Sequence, residues 1–458
     1  MNSGHIRQPA TAVGRTAYCW QNGGLPHFDE SNAMNPRQLL TDSFHAAVAA
    51  ADPLGIVAGF LPPLPSGRTL VVGAGKAAAS MARAVELAWP AAAPLAGVVV
   101  TRYAHGMPAG RIRVIEAGHP VPDAAGECAA AEILAQVRAL TPADRLIALI
   151  SGGGSSLLSL PVAAVPMADL KAVTRALLRS GAPIAAMNVV RKHLSQIQGG
   201  RLAAACRAPV TALIISDVTG DDPSAIASGP TCCDASTYQD ALDILGRHAV
   251  SAPASVLAHL QAGARGAVAE TPKPGSAVLA HVCNTVIATA HQSLQAAAGF
   301  FRERGIAPVV LGDTVTGEAS EVAKVYAALV REIRDHQQPF RPPVALISGG
   351  ECTVTMGGNE GGRGGRCAEF LLSLALELDG MPDVYALAAD TDGIDGSEDN
   401  AGAVLTPDTP ARAAALGISA AAMLAAHDSY GYFSGLGDLV VTGPTRTNVN
   451  DYRVILIL

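Results

Sequence analysis

Short apolar runs recur along this chain, each closing on a glycine or serine turn. Between them lie longer stretches whose apolar positions repeat with helical spacing. Leu39, Leu40, Phe44, Ala47 and Val48 predict an amphipathic helix leading to a proline-rich turn over 61–66. Residues 69–72 read as a strand that enters Gly73-Ala-Gly-Lys-Ala-Ala-Ala-Ser-Met81 and opens a helix to about Trp89. Strands at 97–100 and 112–115, a helix over 124–139 and strands at 146–150, 210–215 and 343–348 follow, and 438–458 reads as two strands around a turn. Strands alternating with helices of this size predict βαβ units. The expected class is α/β: two domains with mainly parallel sheets flanked by helices.

At 458 residues the chain exceeds what one hydrophobic core usually supports. The expected division is an N-terminal α/β domain over 34–268 and a C-terminal one over 275–458. Residues 1–33 lack an apolar signal core and any periodicity, and read as a disordered extension or a mis-called start before Met34. Hydrophobic residues make up 49% and aromatics only 4%, a surplus of Ala, Val and Leu that suits helices packed on parallel strands. A net charge of −7 argues against nucleic acid or a polybasic membrane contact, so an anionic ligand would need a local basic site. No run of 18 apolar residues suggests a membrane span. Eight scattered cysteines form no C-x-x-C or Cys/His cluster, which points to a reducing cytoplasm without structural zinc.

The chemistry concentrates where strands end. Ser348-Gly-Gly-Glu-Cys-Thr-Val-Thr-Met-Gly-Gly-Asn-Glu-Gly-Gly-Arg-Gly-Gly-Arg366 gathers glycine and arginine behind an apolar run, and predicts a loop whose backbone N–H groups face a phosphate. Ser151-Gly-Gly-Gly-Ser-Ser156 repeats the strand-then-Ser-Gly-Gly pattern, so two such loops would share one cleft. Gly73-x-Gly75-x-x-Ala78 is half of a dinucleotide fingerprint. The next strand, however, ends Val100-Thr101-Arg102, without the acid that would hold a ribose. Lys76 is the more telling residue there: a cation at a helix N-terminus opposes the dipole and calls for an anion, and no Walker A sequence exists to explain it. Met187–Leu202 reads at helical spacing. Asn188, Arg191 and Ser195 share one flank of its apolar stripe, with Lys192 farther round and His193 opposite. Asp217, Asp221 and Asp222 in one loop, and Asp390, Asp392 and Asp395 in another, are alternative sets for holding a metal or accepting a proton. His105, His119 and the Cys232-Cys233 pair read as turn, surface or core residues, with His119 also able to meet a substrate, while Thr445, Thr447 and Asn448 are candidates to reach a ligand.

Gly73-Ala-Gly-Lys-Ala, Ser151-Gly-Gly-Gly-Ser-Ser, Asn188-Val-Val-Arg-Lys-His-Leu-Ser, Ser216-Asp-Val-Thr-Gly-Asp-Asp, Ser348-Gly-Gly-Glu, Gly364-Gly-Arg-Cys-Ala-Glu369 and Thr391-Asp-Gly-Ile-Asp-Gly396 occur in order from Met34 to the end. Together they resemble the class II glycerate 2-kinases with a MOFRL C-terminal domain. The resemblance implies a Rossmann-like first domain, a MOFRL-type second, and ATP- and Mg²⁺-dependent phosphorylation of D-glycerate at its 2-hydroxyl in the cleft between them. It implies active-site roles for Lys76 and Arg366. Gly75, Ser151, Gly152, Gly153, Gly154, Ser155, Ser156, Asn188, Arg191, Lys192, Ser348, Gly349, Gly350 and Glu351 become the candidate phosphate and substrate contacts. Asp217 is a candidate both as catalytic group and as metal ligand, the metal alternatives being Asp221, Asp222, Asp390 and Asp392. One departure stands out: Cys367 and Ala368 occupy positions where the family pattern has Asn and Gln. The expected partners are glycerate and a nucleotide, with a homodimer left open. The rivals are an NAD(P)H-dependent hydroxypyruvate reductase, a label some similar proteins carry, and a non-catalytic binder of small anions.

Overall fold

The computed structural model describes residues 35–356 and 362–458; the 1–33 extension lies outside them. Twelve strands form two six-stranded sheets. The first holds β1 (Thr69–Ala74), β2 (Leu95–Arg102), β3 (Ile112–Ala117), β4 (Arg145–Ile150), β5 (Val210–Ile215) and β6 (Val282–Ala288), in the order β3-β2-β1-β4-β5-β6. Every pair in it is parallel. β1, at positions 69–74, is buried throughout, and β4 is buried at all but its first residue, as expected of strands covered by helices on both faces. The strand order reverses between β1 and β4, so the loops leaving those two strands diverge and open a crevice at their carboxyl ends.

The second sheet holds β7 (Ala307–Glu318), β8 (Val344–Thr353), β9 (Val384–Asp390), β10 (Gly402–Leu405), β11 (Leu439–Val440) and β12 (Asp451–Ile457), in the order β11-β10-β9-β12-β8-β7. The α/β class stands, but the expectation of a mainly parallel second sheet does not: only β7 and β8 run parallel, and the other pairs are antiparallel. An apolar run such as Val454-Ile-Leu-Ile457 reports burial on both faces and carries no information about strand direction. The two strands read around a turn at the C-terminus are not neighbours either. β11 lies at the sheet edge and β12 at its centre, between β9 and β8.

The expected division at 268–275 differs from the placement of the sheets. β6 extends the first sheet as far as Ala288. The first helix, Pro36–Ala49, packs on the second sheet, its Leu39, Leu40, Phe44 and Ala47 sharing a core with Phe301, Leu387 and Tyr452. Tyr452 and Ser43 fix that contact by a hydroxyl pair at 2.8 Å. The apolar stripe of this helix was plain in its periodicity, whereas its partner was not, because a stripe specifies a face and not what covers it. The single helix read over Met187–Leu202 also breaks. It runs Ile184–His193, and the chain turns through Gly199 and Gly200, both at positive φ, before a short helix at Arg201–Ala204.

Candidate active site

The β1 loop carries Gly75 and Lys76 to the crevice, and the β4 loop brings Ser151–Ser156 beside it. The two are tied together: Lys76 N–H donates to the Gly152 carbonyl at 2.8 Å, and Ala77 N–H to Ser151 Oγ at 3.0 Å. Gly152 is required by packing, since a Cβ there would fall 1.9 Å from Asp217 Oδ2 and 2.3 Å from Asn448 Nδ2. Asp217 follows β5, at the end of the neighbouring strand, and accepts from Asn448 Nδ2 at 3.2 Å. Burial pushes its carboxyl up to about 6; Lys76 opposes this, and Glu351 adds to it.

The second sheet answers with a dense charge network at the ends of β9 and β12. Arg366, the first residue of the helix Arg366–Leu378, donates through Nε to Asp451 at 2.8 Å and through Nη2 to Asp390 at 2.8 Å, while its Nη1 stands 3.4 Å from Glu351. Arg453, buried in β12, holds Asp451 from the other side at 2.6 Å. Asp392 reaches across to Lys76, Nζ to Oδ2 at 2.5 Å, and thereby joins the two sheets. Burial alone would lower the Lys76 pKa, but Asp392, Asp390 and Asp217 outweigh it and hold the ammonium above its ordinary range. Asp395 accepts from the backbone N–H groups of Cys367 and Ala368 at 3.0 and 2.8 Å. It thus caps a helix whose own N-cap, Gly365, has no side chain to do so.

Both halves line one cavity of about 640 Å³. Its walls include His119, Gly153, Ser155, Ser156, Asn188, Arg191 and Asp217 from the first sheet's loops, and Thr316, Glu351, Cys352, Thr353 and Asn450 from the second. Of the candidate contacts, Gly153, Ser155, Ser156, Asn188, Arg191, Asp217 and Glu351 meet there. Gly75, Ser151, Gly152, Gly154 and Lys76 are not on this wall, although Lys76 Cγ would stand 3.5 Å from a Cβ on Gly153. Lys192 is turned elsewhere: it is buried, with its Nζ 3.5 Å from Asp234. Ser348, Gly349 and Gly350 do not form the expected phosphate loop. They remain buried inside β8, where Ser348 pairs with Arg453 and Gly350 with Val315. The following Gly357–Gly361 stretch lies outside the described residues.

His119, read as a turn or surface residue with substrate contact as the alternative, lines the cavity. Burial and the charges of Lys76, Arg102, His105 and Arg191 push its pKa down to about 4, so the imidazole is neutral near pH 7. Asp451, which anchors Arg366, was missed because a lone acid at the start of an apolar strand carries no motif. Thr445 and Thr447 serve the backbone, donating to the carbonyls of Thr391 and Ala51.

The acids differ in their fitness for a metal. Among the described residues no three His, Cys, Asp or Glu side chains converge to hold one. Asp390 and Asp392 are committed to Arg366 and Lys76, and Asp222 accepts from both Ser224 N–H and its hydroxyl in a local turn. Asp221, at positive φ in the same turn, is not on the cavity wall. Asp217 and Glu351 do face the cavity, and Mg²⁺ in a nucleotide site takes one or two carboxylates and leaves the rest to phosphate and water.

A parallel sheet with the order β3-β2-β1-β4-β5-β6, facing a mixed sheet across a cavity that bears Arg191, Asp217 and Glu351, defines a two-domain α/β protein built to bind a small polar ligand. The MOFRL family model matches residues 344–451, and a model described as "Domain of unknown function (DUF4147)" matches 39–261. A protein of Agrobacterium vitis named "Putative hydroxypyruvate reductase" is 51% identical over 93% of this chain and 95% of its own length. The "Glycerate 2-kinase" of Pyrococcus horikoshii is 40% identical over 85% of this chain and 88% of its own. The crystal structure of a glycerate kinase from Thermotoga maritima superposes with a TM-score of 0.82 at 36% identity, covering 92% of this chain and 99% of that one. This chain belongs to the glycerate 2-kinase family defined by the DUF4147 and MOFRL domains.

Proposed function

We propose that this protein transfers the γ-phosphoryl group of ATP to the 2-hydroxyl of D-glycerate, giving 2-phosphoglycerate and ADP. The observation that carries this reading is Asp217: a carboxylate on the wall of a shared cavity, raised to about 6 and adjoining the glycine loop and Lys76. A base with that pKa is largely ionised at neutral pH and still able to take a proton. In the proposed step Asp217 accepts the hydroxyl proton as the new O–P bond forms and the bond from the γ-phosphorus to the bridging oxygen breaks.

Phosphoryl transfer asks the protein mainly to hold the reactants in line and to place positive charge. Lys76 supplies charge behind Gly152 and Gly153. Arg366 does so indirectly, by holding Glu351 at the cavity rim and compensating Asp390 and Asp451. Glu351 is the wall carboxylate suited to hold Mg²⁺, which when bound would neutralise phosphate oxygens, and this leaves Asp217 to take the proton. No single helix among the described residues is long and apolar enough to cross a membrane. The free thiols among them fit a cytoplasmic location.

The NADH form of the reductase reading meets an obstacle in β2, which ends at Thr101-Arg102 with no carboxylate for the 2′-hydroxyl of the adenosine ribose; an arginine there suits a 2′-phosphate, so NADPH stays in the comparison. Mass spectrometry of product from ATP, Mg²⁺ and D-glycerate, run beside NADH and NADPH oxidation with hydroxypyruvate, separates the two. Phosphoglycerate is expected. Efficient hydride transfer without phosphoglycerate would overturn the kinase reading.

A further inference from the structure

Arg191 is the only Arg or Lys that lines the cavity among the described residues, and it has no carboxylate partner among them. Its hydrogen bond to a side chain is long, Nη1 to Asn188 Oδ1 at 3.5 Å. The cavity's other neighbouring cations are already spent: Lys76 on Asp392, Arg366 on Asp390, Asp451 and Glu351. Burial pulls the Arg191 pKa down to about 10, which leaves it charged at neutral pH but poorly solvated. A guanidinium in that state is half of a charge-assisted pair, with the planar fork suited to a carboxylate.

Its surroundings are neutral and polar. Asn188 Oδ1 accepts from Ser228 Oγ at 3.3 Å, and Ser228 Oγ meets Ser155 Oγ at 2.8 Å. Ala227 and Ser228 hold this corner in left-handed backbone, at φ 50° and 59°, a strained conformation for non-glycine residues that clusters at ligand sites. Ile184, Ala185, Ala225 and Ala227 supply the apolar part of the wall. One cation among neutral hydroxyl and amide groups balances a ligand of one negative charge. A triphosphate would leave most of its charge uncompensated there, and Lys76 stands by the glycine loop instead.

The geometry points to Arg191 as the anchor for the carboxylate of the acceptor, with Asn188 and Ser155, held from behind by buried Ser228, as the polar groups that read its hydroxyls, making this corner a subsite for small hydroxy- or oxo-monocarboxylates. This assignment rests on the proposed cavity as the acceptor site, but not on which reaction follows. It is tested by calorimetric binding of D-glycerate, hydroxypyruvate and uncharged glyceramide, each with and without a saturating non-hydrolysable ATP analogue, to the wild type, Arg191→Met and Arg191→Lys.

The expected result is that the wild type prefers both acids to the amide, and that Arg191→Met raises the Kd of the acids about a hundredfold. Its affinity for the analogue and its Tm should stay near wild type, and Arg191→Lys should recover part of the loss. Unchanged acid binding in Arg191→Met, or a parallel loss of nucleotide binding, would overturn the assignment. So would a wild type that binds glyceramide as well as the acids. Because hydroxypyruvate is included, a protein that proved to be a reductase would still give a clear answer on the subsite.

Discussion

Ser151-Gly-Gly-Gly and Ser348-Gly-Gly-Glu start alike, both behind a buried apolar strand, and then diverge. After β4 the chain leaves the sheet and its turn lines the cavity; after Ile347 it stays in β8 for six more residues. The difference lies in the neighbours. β4 is flanked by parallel β1 and β5, which end at about the same level, so no strand continues alongside the chain beyond Ser151. β8 is flanked by β7, twelve residues long, whose far half pairs with Gly350–Thr353 and takes up their backbone groups. A Cβ on Gly350 would stand 2.3 Å from the Val315 carbonyl, so the glycine here permits the bulged β7–β8 contact and not an anion. Glycine after a strand thus marks close approach, and what approaches is decided by the adjacent strand.

The most severe test falls on the first loop's partner. Asp217→Asn should lower kcat/KM by about a thousandfold if Asp217 is the base. The wild-type rate should fall with an apparent pKa of about 6 as the pH drops, and that limb should vanish in the variant. The stability sign is opposite to that of a paired carboxylate. A pKa raised from 3.8 to about 6 means the folded state prefers the protonated form, so charging it costs stability as pH rises through that window. Asp217→Asn should therefore raise Tm at pH 7 and leave it unchanged below pH 3.8. A stable, fully active variant removes Asp217 from the mechanism.

Gly152→Ala should cost about a hundredfold in kcat/KM, because its Cβ displaces Asp217 and Asn448 together. Activity near wild type would mean that the first loop tolerates what its packing forbids.

On the second sheet the leading effect should be on stability. Arg366→Ala leaves buried Asp390 without its cation and Asp451 with Arg453 alone, a loss of about 3 kcal/mol in chemical denaturation. A melting curve equal to wild type would show that the network tolerates the loss. Smallest of all is Gly349→Ala. Its Cβ would find its nearest neighbours at 3.2 and 3.4 Å, the Asp451 carbonyl and Leu294 Cδ1. About 1 kcal/mol of stability and no more than a threefold change in kcat/KM are expected. Equal damage from Gly349→Ala and Gly152→Ala would erase the distinction between turn and strand.

The order of strands and helices in the first sheet was legible in the sequence because apolar runs and glycine turns are local signals, and a buried parallel strand has no alternative use for a run such as Leu146–Ile150. The ordered motifs likewise named Asp217, Arg191, Asn188 and the Ser155-Ser156 pair as candidate ligand contacts, and all of them line the cavity. Other assignments depended on residues far apart in the chain. Asp395 looked like a ligand and is a helix cap. Lys76 called for an anion and is held by Asp392, while the first helix belongs to the last strands. Each is a contact across hundreds or tens of positions, and charge type and periodicity say only that a side chain needs a partner or a cover. Which one it receives is settled when the two sheets pack and burial makes every unpaired group costly.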